Sequence, residues 1–156
     1  MAEVDQDQPI EGRFDGREHR FPVRVYFEDT DLSGVVYHAN YLRYMERARS
    51  DMLRLAGIDQ RAVIEAGEGA YAIASLQIRY AAPARLDDAL VVVSDLMNVK
   101  AASVRIQQRV MREDVLLTYA EVVAALVAPD GRPLRQPRAW VDIYKSLMRE
   151  GEPQQS

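Results

Sequence analysis

The sequence contains no cysteine. A disulfide framework and a zinc site with thiolate ligands are therefore both excluded. An excess of positive charge is also missing, because 24 acidic and 20 basic side chains give a formal net charge of −4. Proteins that bind nucleic acids usually carry a basic excess, since neutralising phosphates supplies much of their affinity. We therefore expect no nucleic-acid partner.

Long hydrophobic runs are absent as well. The longest apolar stretch, residues 122–127, is far shorter than the roughly 20 residues that a membrane-spanning helix needs. The first five residues have neither the positive region nor the apolar region of a signal peptide. We expect a cytoplasmic protein. Its 156 residues, 48% of them apolar and 28% charged, are typical of one globular domain.

The two ends of the chain differ from its middle. Residues 1–19 are polar and show no hydrophobic period, which predicts a disordered tail. Residues 149–156 predict a second tail, so that residues 20–148 form the domain. At the start of that domain, apolar residues alternate from Phe21 to Phe27, which indicates a strand.

Helical periodicity replaces the alternation further along the chain. From Asn40 to Ala56, apolar residues recur every three or four positions, as on one face of an amphipathic helix. Asn40 is a suitable cap for its start, and Gly57 is suited to ending it in a left-handed conformation. Glu46, Arg47 and Arg49 are predicted to lie on a solvated face with ion pairing between residues three apart. Shorter helices are predicted over residues 60–66 and 137–148.

Four further strands are predicted after the first short helix. They are Tyr71 to Tyr80, Ala89 to Met97, Ser103 to Arg112 and Leu116 to Ala128. Their connections are short, so neighbouring strands must be antiparallel. The sequence therefore predicts an α+β domain in which a five-stranded antiparallel sheet packs on one long helix. Such a sheet leaves edges for a partner chain, which indicates a dimer at least.

Candidate chemistry is concentrated between the first strand and the long helix. Glu28, Asp29 and Asp31 follow the strand, and His38 lies where the helix begins. The start of a helix presents unpaired N–H groups and a partial positive charge. Such donors polarise a carbonyl and stabilise the oxyanion that forms when it is attacked.

Asp31 has both a chemical and a structural interpretation. Considered alone, it is most simply a loop acid that caps a turn. As a general base, it would benefit from like-charge repulsion by Glu28 and Asp29, which would raise its pKa. Oxygen-rich clusters also suit magnesium or calcium, but this spacing matches no calcium loop, so we expect no metal.

This segment resembles the 4-hydroxybenzoyl-CoA thioesterase class of hot-dog fold proteins, and within it the Tol-Pal-associated (YbgC-type) acyl-CoA thioesterases. The likeness lies in residues 28–31 (EDTD), 34–41 (GVVYHANY) and 45–49 (MERAR), with weaker agreement over residues 78–85. It implies a single hot-dog domain, with five strands wrapped around the helix. It also implies hydrolysis of an acyl-CoA thioester without any cofactor.

The resemblance also implies which residues form the site. Asp31 falls on the catalytic carboxylate, acting as nucleophile or general base. His38 falls on the position whose backbone N–H donates to the thioester oxygen, with its side chain orienting water or substrate. The remaining site residues are expected to contact the acyl arm or the coenzyme A phosphates, and they are Gly34, Val36, Tyr37, Arg85 and Lys100.

Two other functions remain open at this stage. The first is a hot-dog hydratase or dehydratase acting on an enoyl thioester, which also pairs an acid with a histidine. The second is an acyl-CoA-binding or assembly factor without turnover. For each, the resemblance implies a homodimer or a homotetramer and an association with the inner membrane face or an envelope system. The sequence does not indicate the length of the acyl chain or a preference for aromatic over aliphatic groups.

Overall fold

A computed structural model describes residues 6–148, and the tail predicted at residues 149–156 lies outside this range. Six strands form one antiparallel sheet in the order β1-β2-β4-β5-β6-β3. The elements are β1 (Arg13–Asp15), β2 (Glu18–Arg24), α1 (Asn40–Leu55), α2 (Gln60–Glu65), β3 (Ala70–Tyr80), β4 (Ala89–Val99), β5 (Ser103–Arg112), β6 (Val115–Val127) and α3 (Arg138–Leu147). Within residues 6–148, no helix is both long enough and apolar enough to cross a bilayer.

The sheet curves around α1, as the sequence predicts. Buried and half-buried residues alternate along β5 and along most of β6, so one face of each strand meets the helix. α1 packs mainly on β2, β4 and β5. Its buried face includes Tyr41, Met45, Ala48 and Met52, which matches the periodicity in the sequence.

Both ends of α1 depend on the residues beside them. Gly57 has a φ of +93°, which confirms the predicted left-handed ending. The predicted cap at the other end is wrong. Ala39 occupies the cap position, and the side-chain amide of Asn40 instead donates to the carbonyl of Asp29 at 2.8 Å. The helix start is therefore tied to the preceding loop.

The predicted tail over residues 1–19 is wrong for residues 13–19, which form β1, a turn and the first part of β2. This hairpin adds a sixth strand to the predicted five. The imidazole of His19 is fully buried, and its Nε2 lies 2.8 Å from Oδ2 of Asp51 on α1. The periodicity of the sequence does not predict the hairpin. His19 is a polar residue, and its burial depends on a hydrogen bond to Asp51, which lies 32 positions away.

The hairpin also brings the preceding backbone close to α1. The Gly12 N–H donates to Oδ2 of Asp51 at 2.9 Å. A Cβ at Gly12 would lie 2.5 Å from the Arg20 carbonyl oxygen and 2.7 Å from the same carboxylate oxygen. Only glycine fits this approach without displacing its neighbours. The domain therefore begins at least eight residues earlier than the predicted boundary at residue 20.

The first predicted strand ends earlier than expected. β2 stops at Arg24, and residues 27–29 form a single 3-10 turn. Phe27, predicted to share the buried face of that strand, is 80% exposed. Just beyond the end of β2, the Val25 N–H still donates to the Asp88 carbonyl at 3.0 Å. The acidic segment therefore begins directly after the chain leaves the sheet.

Candidate active site

The loop that carries Asp31 is closed by its own backbone. The Asp31 N–H donates to the Val35 carbonyl at 2.9 Å, and the Gly34 N–H donates to the Asp31 carbonyl at 3.1 Å. Gly34 has a φ of +84°, and a Cβ there would meet no atom within 4 Å. Glycine is therefore favoured by the backbone conformation and not by crowding. An isolated bridge between Thr30 and Val36 completes the loop.

The Asp31 carboxylate is exposed at the tip of this loop. Its Oδ1 accepts hydrogen bonds from the Ser33 hydroxyl at 2.5 Å and the Ser33 N–H at 2.8 Å. These bonds, the hydroxyl bond first, hold the pKa of Asp31 below its usual value. The predicted rise in the pKa of Asp31 through repulsion by Glu28 and Asp29 is therefore wrong. The carboxylate of Asp29 instead accepts from the Tyr26 N–H at 2.9 Å.

The loop is fixed at both the helix and the sheet. The carbonyl of Asp29 accepts from the Tyr37 N–H at 2.9 Å as well as from the Asn40 side chain. The Val36 N–H donates to the Ala84 carbonyl at 2.8 Å. Gly34, Val36 and Tyr37, all predicted from the sequence, are thus held beside Asp31.

His38 lies two residues before α1 and is exposed. Among residues 6–148, nothing accepts a hydrogen bond from its backbone N–H. Its carbonyl accepts from the Tyr80 hydroxyl at 3.0 Å. Its imidazole stacks on the Tyr37 ring with the ring centroids 4.4 Å apart. His38 and Asp31 form no hydrogen bond with each other.

An open cleft of about 300 Å³ begins beside His38. Its lining includes Val36, Tyr41 and Tyr80. The Tyr41 hydroxyl accepts from the Ala84 N–H at 3.0 Å, and burial raises the pKa of this tyrosine. Sequence reasoning did not single out Tyr41 or Tyr80. The only signal was that both lie within the stretches on which the family resemblance rests.

The two predicted phosphate-binding cations are far apart. Arg85 is exposed next to the Asp31 loop, where its backbone forms a bridge with Val35. Lys100 follows the opposite end of β4, a strand of 11 residues that spans about 35 Å. It lines a separate cavity of about 540 Å³ together with three other basic residues, namely Arg135, Arg138 and Lys145. One protomer therefore does not bring Lys100 to Asp31.

A metal centre finds no support in the side chains. Across residues 6–148, no three His, Asp or Glu side chains cluster closely enough to hold an ion. The neighbouring carboxylates of Asp29 and Asp31 turn to different partners, as described above. The acidic segment is therefore a hydrogen-bonded loop in which the Asp31 carboxylate faces solvent.

Comparison with known proteins adds independent evidence. A family described as the thioesterase-like superfamily matches residues 25–140 of the chain. The chain belongs to the thioesterase-like superfamily. This stretch covers the Asp31 loop, α1 and all four strands from β3 to β6.

The chain is similar in sequence to proteins named as acyl-CoA thioesterases. It is 45% identical to the acyl-CoA thioesterase YbgC of Haemophilus influenzae over 107 residues, which are 69% of this chain and 79% of the relative. It is 41% identical to the acyl-CoA thioester hydrolase YbgC of Escherichia coli O6:H1 over 128 residues, 81% of this chain and 95% of the relative.

Solved structures confirm that the superfamily member has the hot-dog fold. A probable thioesterase from Bartonella henselae superposes with a TM-score of 0.73 at 33% identity, covering 77% of this chain and 99% of that one. A DHNA-CoA thioesterase from Staphylococcus aureus superposes with a TM-score of 0.78 at 18% identity, covering 83% and 90%. The second likeness shows the fold alone.

Proposed function

We propose that this protein hydrolyses an acyl-CoA thioester to a free acid and coenzyme A. One observation carries the proposal: an exposed, ionised Asp31 carboxylate and a His38 N–H that has no acceptor among residues 6–148 lie on one short loop beside an open cleft. The first supplies a nucleophile or base, and the second a donor for a developing negative charge. The two YbgC relatives, named as acyl-CoA thioester hydrolases, support the same chemistry.

The reaction follows from these two groups. The Asp31 carboxylate either attacks the thioester carbonyl or takes a proton from a water that attacks it. The carbonyl oxygen becomes negative and accepts a hydrogen bond from the His38 N–H. The carbon–sulfur bond then breaks, and coenzyme A leaves as a thiol after gaining a proton, from protonated Asp31 in the water route and from solvent in the carboxylate route. In the carboxylate route a mixed anhydride remains on Asp31, and a water molecule then hydrolyses it to the free acid. Because hydrogen bonds from Ser33 lower the pKa of Asp31, the carboxylate is ionised at neutral pH, as both routes need.

Release of free coenzyme A tests this function directly. Wild-type protein is offered a panel of acyl-CoAs, short to long and including benzoyl-CoA, with an enoyl-CoA added to detect hydration. We expect thiol release from part of the panel and no hydration, since Asp31 and His38 do not contact each other as a paired acid and histidine. An inert panel would rule out the hydrolase, and hydration alone would favour the hydratase. Binding without turnover would favour the acyl-CoA-binding factor.

We also propose that two copies associate through β3. This strand lies at an edge of the sheet, runs for 11 residues and is exposed over most of them. Pairing of two β3 strands would continue the sheet across a twofold axis. Lys100, which cannot reach Asp31 in its own protomer, would then serve a site formed with the partner, and its cationic cavity suits the phosphates of coenzyme A.

Sedimentation measurements check the association. We expect a particle of at least twice the 17.7 kDa chain mass at micromolar concentration. A single 17.7 kDa species at every concentration would contradict it. A choice between dimer and tetramer, a cytoplasmic location and an association with the inner membrane face remain predictions from the sequence.

Replacing Ser33 by alanine is expected to move the acidic limb of the pH–rate profile to higher pH. Two of the hydrogen-bond donors that stabilise the ionised form of Asp31 belong to Ser33, and the hydroxyl has the largest effect. Losing it raises the pKa of Asp31, so the carboxylate is protonated at a higher pH. The profile of kcat/KM between about pH 2 and pH 7 measures the shift. An unchanged limb would mean that another group controls it.

A further inference from the structure

One face of β3 forms an apolar stripe that points toward α1. In the register with β6, every second residue of β3 pairs with a residue of the buried face of β6, apart from one bulge after Ile73. Side chains of directly paired residues lie on the same face of a sheet. The inner stripe of β3 therefore consists of Tyr71, Ile73, Leu76, Ile78 and Tyr80.

This inner stripe is only partly covered. α1 packs mainly on β2, β4 and β5, which lie toward the other side of the sheet. Ile73 remains 46% exposed and Tyr80 44% exposed, while Leu76 and Ile78, which lie between them in the stripe, are half-buried against the core. The inner stripe is therefore open to solvent mainly at its two ends.

The ends of the inner stripe line two separate openings. Tyr80 and Tyr41 line the active-site cleft at one end. Ile73 and Arg49 line a smaller cavity of about 80 Å³ at the other end. A strand rise of about 3.3 Å per residue places Ile73 about 23 Å from Tyr80. A helix rise of 1.5 Å places Arg49 about 12 Å beyond Tyr41 along α1. Both β3 and α1 therefore contribute residues to each opening.

Arg49 supplies a cation at this far end. Its side chain is only 12% exposed, although the sequence predicts a solvated position. It donates to Oε1 of Gln108 at 2.8 Å and to Oε2 of Glu46 at 3.4 Å. The Glu46 side chain is 71% exposed, so solvent screens its charge and it stabilises the charged guanidinium only weakly. Burial lowers the pKa of Arg49, because its charge is poorly solvated where it lies.

The other walls of the far cavity are partly apolar and partly polar. The apolar residues are Leu53, Ile73, Val104, Ile106 and Ala124, and the polar ones are Glu46, Ser50, Gln60 and Tyr71. A guanidinium carries five N–H donors in a planar fork that matches a carboxylate, and two acceptors contact Arg49 among residues 6–148. An apolar stripe that ends at such a cation fits a chain with a hydrocarbon body and an acidic end.

We propose that the acyl chain lies along the inner stripe of β3, from the active-site cleft to the second cavity, and that Arg49 binds a carboxylate at its far end. The preferred substrates are then ω-carboxyacyl-CoAs, the thioesters of dicarboxylic acids. This inference rests on the proposed hydrolysis at Asp31. Association through β3 would place the partner strand beside this stripe and shield its exposed ends from solvent.

A matched series of thioesters tests the inference. The ω-carboxyacyl-CoAs from succinyl to sebacyl are compared with unsubstituted acyl-CoAs of equal carbon number, using wild type, Arg49→Met and the exposed neighbour Arg47→Met as a control. We expect kcat/KM to favour the ω-carboxyl member at the longer lengths. The preference should fall by about 10-fold to 100-fold in Arg49→Met and stay unchanged in Arg47→Met.

Glu46→Gln supplies a readout that a purely structural role for Arg49 would not move. Removing the competing carboxylate frees the guanidinium, so the preference for ω-carboxyacyl-CoAs should rise. The same ratios are measured as dissociation constants with Asp31→Asn, which separates recognition from turnover. Equal preference in wild type and Arg49→Met, in both rate and binding, would overturn the inference while leaving the hydrolase intact. Failure of every acyl-CoA to react would refute the hydrolase instead, and the binding ratios would still decide the role of Arg49.

Discussion

Asp31→Asn is expected to lower kcat for acyl-CoA hydrolysis by about two to four orders of magnitude. The amide has nearly the size of the carboxylate, and its oxygen can still accept from Ser33. It is neither a base nor an effective nucleophile. Since the side chain is exposed and contacts only its own loop, the fold should be unaffected. Release of coenzyme A under saturating substrate measures the loss, and circular dichroism checks the fold.

Glu28→Gln is the matched control for this experiment. It makes the same charge change in the same loop, on an exposed side chain, and should retain nearly all activity. Equal activity in Asp31→Asn and wild type would refute the assignment of Asp31. A single turnover in oxygen-18-labelled water then separates the two routes. Attack by the carboxylate, followed by opening of the anhydride at the Asp31 carbonyl, leaves the first product molecule unlabelled and puts the label into Asp31. Direct attack by water labels the product and leaves Asp31 unlabelled.

The second large effect is expected on stability, from Asp51→Ala. Three donors converge on this buried carboxylate: Nε2 of His19 at 2.8 Å, the Gly12 N–H at 2.9 Å and the Arg54 guanidinium at 2.7 Å. Removing the acceptor leaves the buried His19 imidazole and the half-buried Gly12 N–H without this partner, and the free energy of unfolding should fall by about 3–5 kcal/mol. Urea denaturation measures the loss.

Asp130→Ala is a suitable comparison for this experiment. That carboxylate is exposed and pairs only with neighbouring Arg132, so the change should cost less than about 1 kcal/mol. A loss of similar size in both variants would show that the buried cluster around Asp51 contributes little. Unfolding of the N-terminal hairpin alone, seen as rapid hydrogen exchange in β1 and β2, would show that the cluster is local in its effect.

The same cluster predicts how stability depends on pH. Burial lowers the pKa of His19 from 6.5, and the hydrogen bond and charge of Asp51 only partly offset this effect. The unfolded chain therefore binds more protons than the native protein just below pH 6.5. Stability should be fully present above that pH and fall as the pH drops through this window. A flat stability profile there, once carboxylate titration is accounted for, would contradict the burial of a neutral His19.

Helices and strands could be predicted wherever apolar residues recur at a regular spacing along the sequence. The bounds of β5 agree residue for residue, because its alternation is uninterrupted between two polar turns. The features that the sequence did not reveal depend on distant contacts. Asp51 lies on a helix that its period describes well, yet nothing in that period shows that it meets His19. Arg49 has the ordinary spacing of a surface ion pair with Glu46, and only the position of β5 buries it.

The site shows the same division between local and distant information. Gly34, Val36 and Tyr37 lie beside Asp31 because they share one short loop, so sequence proximity was enough to group them. Lys100 could not be excluded from that group by sequence, because its separation from Asp31 is set by the length of β4. Tyr80 comes to His38 across 42 positions through the curvature of the sheet.

The Asp31 loop is held by its own backbone, by Asn40 of α1 and by Ala84, and this arrangement affects how such a protein can change. None of the bonds to the Asp31 side chain involves the packed interior, so replacing the reactive group requires no repacking. Substitutions at the tip of the loop can therefore alter the chemistry without changing the interactions that stabilise the fold, including the distant cluster around Asp51. Catalytic activity and the free energy of unfolding should therefore change nearly independently in this protein.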